Sequence, residues 1–359
     1  MCVPTDLATG YPQISSRSYE HPADRAATAA LHAIPLFDTL VKRFGRLGVE
    51  SRYRQVLLGD SVRLGPDQLP LVWSSHVAAA SRLDIEPTPL FVTQHPSVNA
   101  LTFGMRSPVI LVSSSLVAQH DEAEVQAVLA HELGHVVSDH VTYSTALVLL
   151  ARLLSGAVSD IPLAGLPLRG LYLALLEWSR AAELTCDRAA ALVVGDPMVV
   201  CRVLMRIAGG ALEGLDVNAF IRQATEYVEE EDLFARRSRL ALELGRSHPA
   251  AVRRVRELVR WVESGDYDRI RSGSYVRRGQ EPPPSAEFDA AVRHYRERFS
   301  AMVDRTIGGV NKLSNQIASW LRRANTEEGE ADDAERAREG PPTDGAERAD
   351  APPEPEQED

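Results

Sequence analysis

Residues 120–140 read HDEAEVQAVLAHELGHVVSDH, and the reading of this stretch decides the rest. Val125, Val128, Leu129, Val136 and Val137 recur at helical spacing. Asp121 can cap a helix start, and Glu124 three residues on completes an Asp-x-x-Glu capping box. The stretch is therefore predicted as a helix. Residues four apart share a helical face, so His131 and His135 aim two imidazoles at one point. Glu132 lies one step round from His131 and reaches a water beside that point without itself becoming a ligand. Two imidazoles about 2 Å from a metal, with a carboxylate base alongside, are what a zinc hydrolase needs from one turn of helix. The competing reading is a surface helix with two exposed histidines. A third ligand decides between them.

The pattern His-Glu-x-x-His-x-x-Gly-x-x-His supplies a third ligand locally, but Ser138 and Val141 stand at those places. His140, five after His135, is predicted to point to a different side. Further on, WSRAAELTCDRAAAL (178–192) puts Glu183 and Asp187 four apart on one helical face among alanines. Small residues let this helix approach another closely, and two carboxylates at a packed interface are costly without partners. A metal for Glu183, and the outer ring N–H of a ligand histidine for Asp187, are such partners. The alternative for Glu183 is a surface acid paired with Arg180 or Arg188. Cys186, between the two acids, is read as facing the core.

Around these segments the chain reads as mainly α (α+β). Residues 1–22 are predicted disordered. Helical patterns run from Arg25 to about Leu58 and from Leu69 to Arg82. Then PLFVTQ (89–94), ALTFGM (100–105) and VILVSS (109–114) predict a small antiparallel sheet of about three strands beside the histidine helix. Helices are expected over 171–194, from Asp196-Pro197 to Gly209-Gly210, after Asp216, and over 247–264 with Pro249 in the first turn. RRGQEPPPSAE is a linker, followed by amphipathic helices at Phe288–Val303 and Thr306–Arg323. The expected division is a disordered start (1–22), one catalytic domain (23–275), a linker with C-terminal helices (276–325) and an unstructured acidic tail (326–359).

That tail holds 14 acidic and 3 basic residues, so it accounts for the formal net charge of −11 and leaves the rest of the 359-residue chain near neutral. A near-neutral body offers no basic footprint for nucleic acid. Cys2, Cys186 and Cys201 form neither a C-x-x-C pair nor a disulfide framework, which favours a reducing, cytoplasmic setting. MCVPTDLATGYPQ lacks the basic start and apolar core of a secretory signal. Two apolar segments, Thr145–Val158 and Leu163–Trp178, are broken by Arg152, Asp160, Pro162, Pro167 and Arg169, and each falls short of the roughly 20 apolar residues of a membrane span. They predict a hairpin packed on the domain rather than a transmembrane span, leaving a peripheral membrane contact open.

VLAHELGHVVSDH followed by AAELTCDRAA resembles the HtpX/CAAX-prenyl-protease/Oma-like family of gluzincin metallopeptidases, whose motifs are the histidine pair and then Glu-x-x-x-Asp on a later helix. SVNALTFG (97–104) is similar to its Asn-Ala-Phe segment, with Leu101 and Thr102 replacing the usual aromatic. SHPAAVRRVREL (247–258) is similar to its Thr-His-Pro-x-x-x-x-Arg-Ile-x-x-Leu segment. The resemblance implies a zincin-like domain acting as an endopeptidase on a peptide or protein substrate, with one Zn2+ per chain. It implies His131, His135 and Glu183 as metal ligands, Glu132 as general base and then acid, and Asp187 holding a ligand histidine by its outer nitrogen. It further implies His248 near the metal stabilising the oxyanion, Arg254 organising the substrate side or pairing with an acid, and Asn99 contacting substrate backbone. Many members carry transmembrane helices beside the catalytic helix, where this chain has only the two interrupted segments. A reading from another class is a catalytically silent, partner-binding protein that keeps zinc for structure. Glu132 weighs against it, because a structural site needs no base and closes its fourth position with a protein ligand.

Overall fold

The computed structural model describes residues 10–34, 37, 40–42, 49–155, 166–229, 248–283 and 286–305. The middle of the expected hairpin, 156–165, the helix expected at Thr306–Arg323 and the acidic tail lie outside the described residues. Those described all fall in one compact unit within Met1–Gly308. In chain order the main elements are α1 (Pro22–His32), α2 (Val49–Asp60), β1 (Val62–Arg63), α3 (Pro70–Arg82), β2 (Leu90–Thr93), β3 (Ala100–Phe103), β4 (Val109–Ser113) and α4 (Ser114–Gln119). They continue with α5 (Glu122–Val137), α6 (Val141–Ser155), α7 (Leu166–Val194), α8 (Pro197–Gly209), α9 (Val217–Glu229), α10 (Ala251–Glu263), α11 (Asp266–Arg271) and α12 (Ala286–Arg305). The α+β reading therefore stands.

The centre of the fold is the pair α5 and α7, with α3, α8 and β3 also packed on α5. Leu129, Ala130, Leu133, Ala189, Ala190, Leu192 and Val193 are buried to the last few per cent in one core. The two helices meet closely because Gly134 faces Cys186 and Ala189. A Cβ at position 134 would stand 3.0 Å from the Ala189 Cβ. The closeness brings the histidine face of α5 up to the carboxylate face of α7.

The sheet differs from expectation. It has four strands in the order β1-β2-β4-β3 and is mixed. β2 runs parallel to β4, with Leu90 opposite Ile110, while β3 pairs antiparallel with β4, with Thr102 opposite Ile110. Side-chain alternation is the same in parallel and antiparallel strands, so the pattern alone cannot tell which neighbour a strand takes. β1 is only two residues long and too short for a periodic signal. α3 sits against α5 and buries His76, Ala79 and Ala80.

The expected disorder of residues 1–22 does not hold from Gly10 onward. Ile14 and Tyr19 are almost fully buried. Tyr11 Oη donates to the Leu192 carbonyl at 3.1 Å, and Ser15 N donates to the Val276 carbonyl at 2.9 Å. Isolated Tyr and Ile side chains among turn residues leave no periodicity, yet they plug the end of the α5–α7 core. The expected long helix from Arg25 is interrupted after His32, where Ala33 takes the C-cap, and helix is found again at 37, at 40–42 and in α2. The expected boundary at 275 also dissolves, since α12 packs on α1 and α7 and belongs to the same unit. Pro249 lies before the N-cap of α10, Ala250, rather than in its first turn. α7 begins at Leu166, earlier than Leu171. Among the described residues no helix is long and apolar enough to cross a membrane.

Candidate active site

The capping box expected at the start of α5 is formed. Glu124 N donates to Asp121 Oδ1 at 2.8 Å, and Asp121 N donates to Glu124 Oε2 at 3.2 Å. With the helix start fixed, His131 and His135 emerge one turn apart toward α7. His131 Nε2 lies 3.4 Å from Glu183 Oε2, and His135 Nε2 lies 3.6 Å from Glu183 Oε1. Each oxygen of one carboxylate thus faces one imidazole. Glu183 is 3% exposed. Burial opposes its charge, but His248, Arg254 and His131 outweigh that and hold its pKa well below the carboxylate range.

Asp187, one turn along α7, meets the far nitrogen of His131: Nδ1 and Oδ1 are 3.1 Å apart. Arg254 of α10 grips Asp187 with two hydrogen bonds, Nε to Oδ2 at 2.8 Å and Nη2 to Oδ1 at 2.6 Å. Its remaining nitrogen, Nη1, is 2.9 Å from Glu183 Oε2. Arg254 thus pairs with both acids. All three guanidinium nitrogens are engaged by Asp187 and Glu183, and the residue is buried, so it is not a free substrate contact. Arg188, a candidate partner for Glu183, instead donates to the Tyr19 and Glu20 carbonyls.

Glu132 is buried and sits on the wall of the cavity beside His131. Its Oε2 accepts a 2.6 Å hydrogen bond from Thr102 Oγ1 of β3. Thr102 was visible in the sequence only as a departure from an aromatic, and its contact with Glu132 was not foreseen. His248 Nδ1 lies 2.9 Å from Glu183 Oε1 at the rim, and that carboxylate raises the imidazole's pKa. Asn99 is exposed where the chain enters β3, its backbone paired both ways with Ser113 of β4. The cavity these residues surround measures about 290 Å³. Beyond His131 and Glu132 its lining turns apolar, with Leu116, Val128, Val203 and Leu204.

On the other side of the pair, His140 returns to the site against expectation. α5 ends in a Schellman turn, in which His140 N donates to the His135 carbonyl and Asp139 N to the Val136 carbonyl. Asp139 takes the left-handed conformation the turn requires, φ 56°. His140 Nδ1 thereby comes within 3.2 Å of His135 Nδ1. His140 Nε2 is 3.0 Å from Asp24 Oδ2 of α1. The sequence signal was an Asp at a helix end, where Gly is the commoner sign.

Burial opposes a charge on His131, but Asp187 and Glu183 raise its pKa to about 10, while burial lowers that of His135. The set suits a divalent cation. Two imidazole nitrogens and a carboxylate converge, the donor types a divalent cation takes. Cys186 Sγ also lies within 4.8 Å of donor atoms of His131 and His135. Its contact is with His140 Nδ1 at 3.7 Å, and burial holds its thiol well above the usual pKa.

A histidine pair with a glutamate between thus faces a carboxylate from a second helix, beside the edge strand β3. The profile of peptidase family M48 matches residues 73–262, and the chain belongs to that family. It is 38% identical over 268 residues to the plastoglobule-localized metallopeptidase 48, chloroplastic, of Arabidopsis thaliana, covering 72% of this chain and 76% of that protein. It is also 31% identical over 154 residues to a protease HtpX homolog of Acidiphilium cryptum, covering 36% of this chain and 52% of the relative. A protease HtpX homolog of Acaryochloris marina is 28% identical over 174 residues, 41% of this chain and 58% of the relative. No solved structure matches.

Proposed function

We propose that this metallopeptidase is a zinc endopeptidase of the gluzincin type, with one Zn2+ per chain held by His131, His135 and Glu183 and with Glu132 as general base. The observation that carries the reading is the placement of Glu132. It lies next to the ligand set on the cavity wall, is held by Thr102, and is not one of the residues that faces Glu183. When bound, zinc there supplies Lewis-acid polarisation of the scissile carbonyl and lowers the pKa of a water toward about 7. Glu132 takes the proton of the attacking water on its carboxylate and returns it to the leaving amine. Thr102 fixes Oε2, leaving Oε1 for the proton. His248, favoured in its protonated form by Glu183, donates an N–H toward the oxygen on which charge develops. Asp187 and Arg254 hold His131 and Glu183 in register. Asn99 and the edge strand β3 align an extended peptide. The apolar half of the cavity takes an apolar side chain of that peptide.

The location is proposed as cytoplasmic on cysteine usage, with a peripheral lipid contact left open. Cleavage of casein or a peptide library tests the activity. Wild-type cleavage should stop with a zinc chelator and return with added zinc. Glu132→Gln should lose about 10²–10⁴-fold in kcat while remaining folded. Undiminished cleavage by Glu132→Gln overturns the assignment.

A further inference from the structure

The family match begins at residue 73, yet a residue of α1 contacts His140, the neighbour of His135. Asp24 is wholly buried, and its carboxylate is held from three sides. Thr185 Oγ1 donates to Oδ2 at 2.5 Å, Thr28 Oγ1 donates to Oδ1 at 3.2 Å, and His140 Nε2 lies 3.0 Å from Oδ2. No arginine or lysine is among these partners, so the negative charge is answered by hydroxyls and one imidazole. His140 is itself 1% exposed, with Trp178 packed edge-on against its ring.

We propose that Asp24, acting through His140, positions the His135 imidazole, which makes α1 a working part of the metal centre. The inference rests on the zinc reading above. The hydrogen-bond directions follow for a neutral His140, which carries a single ring proton. A carboxylate only accepts, so His140 carries its proton on Nε2, toward Asp24. His140 Nδ1 is then an acceptor; the nearer group it faces is His135 Nδ1 at 3.2 Å, with Cys186 Sγ at 3.7 Å, and the shorter contact assigns the donated proton to His135 Nδ1. That leaves His135 Nε2 with a lone pair, on the side that faces Glu183. One carboxylate two residues removed thereby selects the tautomer that can bind a metal. Thr185 ties the relay to α7 two residues from Glu183, and Trp178 Nε1 donates to Thr28 Oγ1 at 2.8 Å, closing the network around Asp24.

A zinc-affinity cycle on the full chain tests the proposal, read by competition with a chromophoric chelator rather than by activity. Asp24→Ala and His140→Phe should each weaken zinc binding by about 10–100-fold. The double variant should bind no more than a few-fold worse than the weaker single, because Asp24 acts through His140. Asp24→Asn, whose amide oxygen can accept the same N–H, should recover most of the loss. Circular dichroism of the zinc-free variants checks folding. If Asp24→Ala does not fold, Asp24→Ser, too short to reach His140, takes its place in the cycle. An unchanged zinc Kd in the folded single variants, or losses that multiply in the double variant, overturns the relay. A wild-type chain that fails to take zinc from the chelator overturns the zinc reading instead, so the two failures are distinct.

Discussion

His131 and His135 leave the same helix one turn apart and face the same carboxylate, but they are supported in opposite ways. Behind His131 stands a charged lattice, Asp187 locked by Arg254, which also reaches Glu183. Behind His135 stands a relay without arginine, His140 and then a carboxylate held by threonines. The first raises the pKa of its histidine to about 10, and around the second burial lowers it. The contrast shows that one motif helix draws its rigidity from two unrelated parts of the chain, α7 with α10 on one flank and α1 with the α5 turn on the other.

The two flanks should respond differently to mutation. The largest effect is expected on the charged side. Arg254→Ala leaves Asp187 and Glu183 buried without their cation and should cost the zinc-free protein about 3–5 kcal/mol by urea unfolding. Added zinc should shrink that cost, since a dication replaces the lost charge. A cost well under 1 kcal/mol means the lattice carries no weight. Next, Asp187→Ala should weaken zinc binding by about 10–100-fold without abolishing folding. An equal Kd in wild type and variant shows that His131 needs no such support.

Gly134→Ala loads both flanks at once by pushing α5 from Ala189 and Cys186, and should cost about 1–3 kcal/mol in thermal or urea unfolding. A neutral result places the helices further apart than described. The flank behind His135 has its own pH signature. Burial opposes the charge on Asp24, but His140, Thr185 and Thr28 outweigh it and lower its pKa. A carboxylate lowered on folding contributes stability that is complete above its unfolded pKa of about 3.9 and is lost as the pH falls through its folded value. The stability gap between wild type and Asp24→Asn should therefore be flat near neutrality and narrow below about pH 4. A gap that widens on acidification contradicts the depressed pKa. The smallest effect is expected from truncation after Ala324, which removes most of the net charge and should leave cleavage of a small peptide within a few-fold.

What the sequence made legible follows the same division. The capping box, the histidine face, and Glu183 with Asp187 were readable because helical spacing alone fixes which residues share a face. The small residues around Cys186 and Ala189 signalled the close α5–α7 contact for the same reason. The flank behind His135 was not readable. His140 follows a left-handed Asp139, which breaks the helical count that predicted it to point away. Asp24 is more than a hundred residues distant, with no local pattern to connect it. The parallel pairing of β2 with β4 escaped because alternation carries no direction, and Thr102 escaped because its role depends on that sheet placing β3 beside Glu132.

The central claim is that His131, His135 and Glu183 hold one zinc per chain beside Glu132. Metal content of the purified full chain by mass spectrometry tests it most directly. Wild type and Glu132→Gln should each carry about one zinc, and His131→Ala, His135→Ala and Glu183→Ala should each lose it. Full zinc occupancy in folded Glu183→Ala would contradict the ligand set, and with it the account of what the two flanks support.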